Sequence, residues 1–159
     1  MKNTVVKLFQ HYKYIFHMEG MYDVYRYSKP FRVREISDFP FIPEINSWIK
    51  VYDEGETYEN FPNKIAHKVI DVCTSCPADS SEEPYEVIVT LAPAEIYFDL
   101  DAPNIKKILE AHNFNPERIF YSMNIDKSYG LAVADRLFEE LEKEQKLVKI
   151  PTEHHRKPE

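Results

Sequence analysis

The sequence predicts an α+β fold, with an antiparallel-rich sheet from the first ~100 residues packed with two to three C-terminal helices. Apolar and charged residues alternate, as in strands, up to about residue 98. The spacing of one-sided helices takes over after that point. The chain has 159 residues, which is enough to bury one core of ordinary size. We therefore expect a single domain over residues 1–150, β-rich over 1–100 and helical over 101–150, followed by a flexible tail over 151–159.

The first 27 residues are compatible with either a helix or a hairpin. Thr4 can cap a helix that runs to about Tyr12, because the apolar residues from Val5 onward follow helical spacing. A hairpin is then expected to turn at Glu19-Gly20 and return through Met21–Tyr27. The alternation of residues 14, 16 and 18 would also suit a strand, so the two structures stay open for residues 4–27.

The remaining elements follow from alternation, helical spacing and turn residues. Five further strands are predicted before residue 101, at Phe31–Ile36, Ile45–Tyr52, Lys64–Cys73, Tyr85–Leu91 and Glu95–Leu100. The polar segment Cys76–Pro84 is expected to be a loop. Three helices follow, the first capped by Asp101 with Pro103 in its first turn, then Pro116–Met123 and Ser128–Gln145. Leu147–Ile150 is predicted as a last strand.

Glycine content and charge exclude several classes of function. Only three glycines occur, far apart, so the chain lacks the clustered glycines of dinucleotide-binding turns, Walker A loops and nucleophile elbows. The net charge is −7, and it is concentrated in residues 52–100, which carry 11 acidic and 2 basic residues. The overall negative charge disfavours non-specific binding to a phosphate backbone. The acidic middle segment could face a basic partner, and a solvated surface that serves solubility is the alternative.

Compartment is indicated by cysteine usage and hydropathy. Cys73 and Cys76 are the only cysteines, fewer than a disulfide-dependent secreted domain would carry. No apolar run reaches the ~18 residues of a membrane span, so we expect no membrane association. We therefore predict a cytoplasmic protein.

The segment Glu95-Ile-Tyr-Phe-Asp99-Leu-Asp101 carries the most enzyme-like pattern. Residues two apart on a strand share a face, so Asp99 and Asp101 could chelate one Mg²⁺, with Glu95 on the same face. A hydrophobic strand ending in D-x-D resembles the metal-binding strand of primase-polymerase domains and the opening of the haloacid-dehalogenase motif. The first resemblance implies metal-dependent nucleotide or phosphodiester chemistry. The alternative is structural, with Asp101 as a helix cap and Asp99 as an exposed strand end.

Cys73-Thr-Ser-Cys76 has the C-x-x-C spacing of zinc and redox sites. Among the six histidines, only His67 lies near it in the sequence, so Cys73, Cys76 and His67 are candidate zinc ligands. A structural zinc needs two ligands besides the two cysteines, so two structural or idle thiols are the simpler interpretation. We accordingly predict no resident cofactor, with zinc here or magnesium at the aspartates as the alternatives.

The C-terminal third resembles the closing helix and wing strand of a winged-helix domain, since a long helix over 128–145 precedes a short apolar strand. The resemblance implies a helix lying in the DNA major groove. The exposed side of this helix is rich in glutamate, which would repel phosphates, so a protein-binding form or a simple amphipathic helix is favoured.

Aromatic and basic residues interleave in the N-terminal part of the chain. The candidate binding residues are Tyr14, Tyr22, Tyr25, Arg26, Tyr27, Arg32 and Arg34. Tyrosine and arginine dominate protein interfaces, whereas stacked aromatics beside cations also bind single-stranded nucleic acid. Cross-strand aromatic pairing is the purely structural alternative.

These observations favour a small protein-binding module, an inhibitor or adaptor with a regulatory role, rather than an enzyme. It would act through the Tyr/Arg-rich N-terminal surface and the acidic middle segment. Two alternatives stay open: a metal-dependent nucleotide or phosphodiester enzyme centred on Asp99 and Asp101, and a nucleic-acid-binding protein. Another protein is the expected partner, and a homo-oligomer stays open.

Overall fold

The computed structural model describes residues 4–121 and 127–151, and all but the first residue of the predicted tail over 151–159 lies outside them. The α+β fold is confirmed, and the chain divides into two compact units. Among the described residues, unit 1 comprises 4–11, 30–94 and 151, and unit 2 comprises 12–29, 95–121 and 127–150. In chain order the elements are β1 (Thr4–Gln10), β2 (Tyr12–His17), β3 (Val24–Tyr27), β4 (Phe31–Ser37), β5 (Trp48–Ile49), β6 (His67–Ser75), β7 (Tyr85–Leu91), β8 (Ala94–Asp99), α1 (Pro103–Ala111), α2 (Pro116–Tyr121), α3 (Lys127–Lys143) and β9 (Ile150–Pro151).

Unit 1 is built on a five-stranded sheet in the order β4-β1-β7-β6-β5. Strand β1 pairs antiparallel with β4 and parallel with β7, and the other pairs are antiparallel. Alternate residues of the central strands, among them Val6, Leu8, Val87 and Val89, form its buried core. Burial on one side explains the apolar–polar alternation that predicted these strands.

Unit 2 combines a four-stranded sheet, in the order β3-β2-β8-β9, with the three helices. Strands β2 and β3 form the predicted hairpin, whose turn contains Gly20 at φ 81°, a backbone conformation that favours glycine. Leu100 N donates to His17 O over 2.8 Å and Ala94 N donates to His11 O over 3.0 Å, so β2 and β8 run parallel. One face of the sheet packs on the helices through Tyr14, Phe16, Ile96, Phe98, Leu109, Ile119, Val133 and Leu137.

The expectation of a helix from Thr4 to about Tyr12 is wrong, because this segment forms β1 and enters β2. Val6, Leu8 and Gln10 are buried in alternation, and the β-branched residues Thr4, Val5 and Val6 favour an extended backbone. Pairing with β4 and β7 on either side decides between the two structures, and neither neighbour is close in sequence.

The other predicted elements differ mainly in their ends. Over 45–52 only Trp48–Ile49 forms a strand, and the final strand is Ile150–Pro151. The three helices occupy the predicted segments, with residues 122 and 123 of the second outside the described chain. Segment 76–84 has no regular secondary structure. Within residues 4–121 and 127–151, no helix combines the length and the apolar character that crossing a membrane would need.

Candidate functional site

The sheet of unit 2 has a second face, which is turned away from its helices. Alternation along three of its strands puts the following residues on this face: Lys13, Ile15 and His17 on β2, Tyr25 and Tyr27 on β3, and Glu95, Tyr97 and Asp99 on β8. We call these eight residues the outer face. It carries three tyrosines that are about half exposed.

One end of the outer face gathers a histidine and two aspartates. Ligand atoms of His17, Asp99 and Asp101 all lie within 4.8 Å of one another, and all three side chains are half-buried. His17 ends β2 and Asp99 ends β8, and the hydrogen bond from Leu100 N to His17 O aligns these two strand ends. Parallel pairing therefore brings together groups that are about 80 residues apart in the sequence.

Each aspartate uses one oxygen to hold the backbone. Asp101 Oδ2 accepts from Glu19 N over 2.6 Å, and Asp99 Oδ1 accepts from Asp101 N over 3.0 Å. The predicted capping role of Asp101 is wrong: Ala102 is the N-cap of α1 and no side chain caps that helix. Asp99 is half-buried rather than an exposed strand end. Asp101 Oδ1 and Asp99 Oδ2 remain for a ligand.

The orientation of His17 is fixed by Asp23 and Tyr97. Its Nδ1 lies 2.8 Å from Asp23 Oδ1, and its ring stacks on that of Tyr97 at a centroid distance of 5.9 Å. The hydrogen bond to Asp23 raises the pKa of His17, and the charges of Asp99 and Asp101 raise it further. Desolvation raises the pKa of Tyr97, helped by the charges of Asp23 and Asp99. Because Asp23 occupies Nδ1, Nε2 is the ring nitrogen left for an ion, and metal-binding histidines commonly use one ring nitrogen for the ion and the other for a carboxylate.

Glu95, the third predicted acid, lies on the outer face outside this cluster. Four residues along a strand separate it from Asp99, which corresponds to about 13 Å. Its carboxylate lies 4.0 Å from Lys13 Nζ, and that ammonium also sits 4.4 Å from the centre of the Tyr25 ring. Glu95 thus belongs to a charged row across the sheet.

The predicted Tyr/Arg residues divide between interior and surface. Tyr22 is 96% exposed, and Tyr25 and Tyr27 lie on the outer face. Tyr14 is buried against the helices, and burial raises its pKa to about 12. Arg26 is only 7% exposed.

Arg26 is buried because alternate residues of β3 point to opposite faces of the sheet. Val24, opposite the fully buried Phe16, points inward, and Arg26 shares its side of the strand. Its Nη1 donates to Tyr25 O over 2.7 Å, and burial lowers its pKa. Tyr25 and Tyr27 are therefore exposed on the surface of unit 2, whereas the Arg26 guanidinium is not.

The other two candidate arginines lie on β4 of unit 1. Arg32 Nη1 donates to Glu35 over 2.9 Å. Arg34 Nη2 donates to Tyr52 O over 2.8 Å.

The two cysteines and His67 are not brought together with a further ligand. Cys73 and Cys76 are free and exposed. His67 lies on the same strand as Cys73, six residues away, which corresponds to about 20 Å. Across the described chain, the only cluster of three or more such ligand groups is the one at His17.

The acidic middle segment is partly neutralised within unit 1. Lys64 pairs with both Asp53 and Glu56. The hydrogen bond from Lys64 lowers the pKa of Glu56, and the same bond raises the pKa of Lys64.

Sequence reasoning found both aspartates of the cluster and missed His17 and Asp23. The signal that could have found them is the position of His17 at the end of an alternating strand, just before a turn. Comparison with known proteins adds no assignment, because no protein-family model, no curated protein and no solved structure matches this chain.

Proposed function

We propose that this protein binds a divalent metal ion through His17, Asp99 and Asp101. The observation that carries the proposal is the convergence of one imidazole and two carboxylates within 4.8 Å, at the ends of two parallel strands. A third acid or a histidine within about 5 Å of the two aspartates is what a metal-dependent site requires and a merely structural pair does not.

The ligand set favours Mn²⁺ over Mg²⁺. Carboxylates suit both ions, whereas an imidazole ligand raises affinity for later transition metals. Three protein ligands leave the remaining positions of a six-coordinate ion to water or to an oxygen of a substrate. An ion held in this way can polarise a phosphoryl oxygen, so metal-dependent nucleotide or phosphodiester chemistry is the enzymatic form of the proposal.

Calorimetric titration of Mn²⁺ into wild type and Asp99→Asn tests it. Asparagine retains the oxygen that accepts from Asp101 N but removes the negative charge. We expect saturable binding by wild type and a loss of at least tenfold in affinity for the variant, about 1.4 kcal/mol. Asp71→Asn, a change of the same charge on β6 in unit 1, should bind as wild type does. Identical heats for wild type and Asp99→Asn would contradict the proposal.

A second candidate function is protein binding, and the exposed tyrosines favour it. Tyr25, Tyr27 and Tyr97 are each at least 50% exposed on the outer face. Three carboxylates lie on or beside the outer face, those of Glu95, Asp99 and Asp101. They outnumber Lys13, the one lysine or arginine of that face. We propose a partner with basic side chains, which tyrosine rings and carboxylates would both attract, with the protein acting as an inhibitor or adaptor. Two free cysteines fit the reducing cytoplasm, where we propose that it acts.

A pull-down with matched variants tests the second candidate. A basic partner should be retained by wild type and by Tyr58→Ser, a 67% exposed tyrosine of unit 1. The double variant Tyr25→Ser/Tyr97→Ser should lose it, and high salt should weaken the capture. Equal capture by all three proteins contradicts this candidate. Tight binding of a labelled single strand instead would favour the nucleic-acid alternative.

A further inference from the structure

Unit 1 contains a cavity that the metal proposal does not use. Its volume is about 750 Å³, and it lies between β1, β4 and the segment 39–52. Cavities of 300–1,000 Å³ with mostly apolar walls are typical of small-molecule sites. The apolar part of the wall includes Leu8, Ile36, Phe39, Phe41, Ile42 and Val51.

The wall formed by residues 39–45 is held at both ends. Asp38 and Asn46 have positive φ angles of 56° and 71°, which bend the chain sharply on either side of the segment. Asp38 N donates to Thr4 O over 2.9 Å, and Asn46 N donates to Val69 O over 2.8 Å. The cavity is therefore formed by anchored backbone, as expected of a site that exists before its ligand arrives.

Large apolar side chains at the cavity remain open to solvent. Phe41 is 64% exposed and Ile42 is 51% exposed, and the Phe41 ring packs on Phe39 at 4.8 Å. A ligand in the cavity would remove part of this apolar surface from water, which is the main source of affinity in such sites.

The polar groups of the wall are mainly donors. Trp48 Nε1 and Tyr52 OH are buried atoms with no hydrogen-bond partner in the described chain. A buried donor without an acceptor is costly, so an acceptor on a ligand is favoured there. The indole nitrogen of Trp48 can only donate.

Three charged residues line the cavity: Arg34, Glu44 and Lys50. Lys50 Nζ donates to Pro62 O over 2.8 Å, so one of its three donors is already used. Arg34 uses Nη2 on Tyr52 O and stands 3.8 Å from Asp53, and its other nitrogens keep donor capacity. Glu44 is exposed on the segment 39–45, so the guanidinium is the charge that a ligand would meet beside Tyr52.

We propose that this cavity binds a small apolar molecule that carries one carboxylate. The apolar body packs against the phenylalanines and Ile42, and the carboxylate accepts from Arg34. A charged hydrogen bond of this kind distinguishes an acid from a neutral molecule of the same length.

Trp48 gives a direct assay, because it is the only tryptophan in the chain and it lines the cavity. The probes are decanoate, below its micellar concentration, and 1-decanol as the neutral counterpart. Decanoate should change the Trp48 emission in a saturable way and bind about tenfold more tightly than decanol. Arg34→Gln should reduce the affinity for decanoate to that for decanol and leave decanol binding unchanged.

Two further variants keep the test decisive. Arg32→Gln removes the same charge from the same strand, at a residue outside the cavity wall, and should bind both probes as wild type does. Ile42→Asp changes an exposed wall residue and should weaken both probes, decanoate the more. No saturable emission change, or equal affinities for the two probes in wild type, would overturn the proposal.

Discussion

Substitution of Gly130 by alanine should destabilise unit 2, although alanine is the better helix former. A Cβ at Gly130 would lie 3.1 Å from Arg26 Nε and 3.3 Å from Arg26 Cγ, closer than ordinary van der Waals contact. Arg26 has little room to retreat, because it is buried and its Nη1 is tied to Tyr25 O. Glycine is therefore the residue that lets α3 pass beneath this side chain.

The magnitude follows from two opposing effects. Alanine in place of glycine in a helix gains about 0.5–1 kcal/mol. Forcing an added carbon into a filled site costs about 1–3 kcal/mol. The expected net change for Gly130→Ala is a loss of about 1 kcal/mol in the free energy of unfolding.

Urea denaturation followed by circular dichroism at the helix band measures this loss, since α1, α2 and α3 all belong to unit 2. Ala132→Gly, at an exposed position of α3, calibrates the glycine–alanine difference without any contact to Arg26. In an Arg26→Ala background, Gly130→Ala should become stabilising by about 0.5–1 kcal/mol. The reasoning is refuted if Gly130→Ala stabilises the otherwise unchanged protein, or if its effect is the same in both backgrounds.

Two other predictions concern the interior of each unit. Burial lowers the pKa of His67, and the nearby Lys64 charge lowers it further, while Gln10 Nε2 lies 3.1 Å from its Nδ1. The folded state therefore binds fewer protons here than the unfolded state; its stability should be full above pH about 6.5 and fall as the pH drops toward the lowered pKa. His67→Gln should flatten that dependence in urea titrations across pH 5–8, and an unchanged slope would contradict it. Phe98 is fully buried among Tyr14 and Phe16, so Phe98→Ala should cost about 3–5 kcal/mol, measured by thermal unfolding. A loss below 1 kcal/mol would show that this ring does not belong to the core.

The sequence predicts local structure best where an element buries one face only, because the apolar residues then alternate regularly along it. Tyr85–Leu91 matches the predicted strand residue for residue, because Val87, Val89 and Leu91 are buried in strict alternation on one face of the sheet. Thr4–Gln10 was misjudged because seven residues of mixed spacing suit a helix nearly as well as a strand. Only its partners β4 and β7 resolve that ambiguity, and their pairing is a long-range property.

The surface residues show the same limit. Tyr25 and Arg26 are adjacent in the sequence and were expected to act together, yet one lies on the outer face and the other in the interior. Of the two alternating sets of β3 residues, the set that faces the helices is decided by the pairing of Val24 with Phe16. It therefore depends on the register of the hairpin. A shift of one residue would have reversed the two roles.

The proposed cation site depends on topology more than on motif. The D-x-D pattern contains two of the proposed ligands, and both aspartates also accept backbone hydrogen bonds, from Glu19 N and from Asp101 N in the turn after β8. His17 distinguishes the aspartate pair from one that only stabilises a turn. It lies beside both aspartates because β2 and β8 run parallel with their ends aligned. Parallel neighbours are joined through long connections, so a site built across them leaves no compact signature in the sequence. A candidate metal site of this kind is recognisable only after the strand order is known, so a chain with few sequence motifs can still bring three ligand groups together.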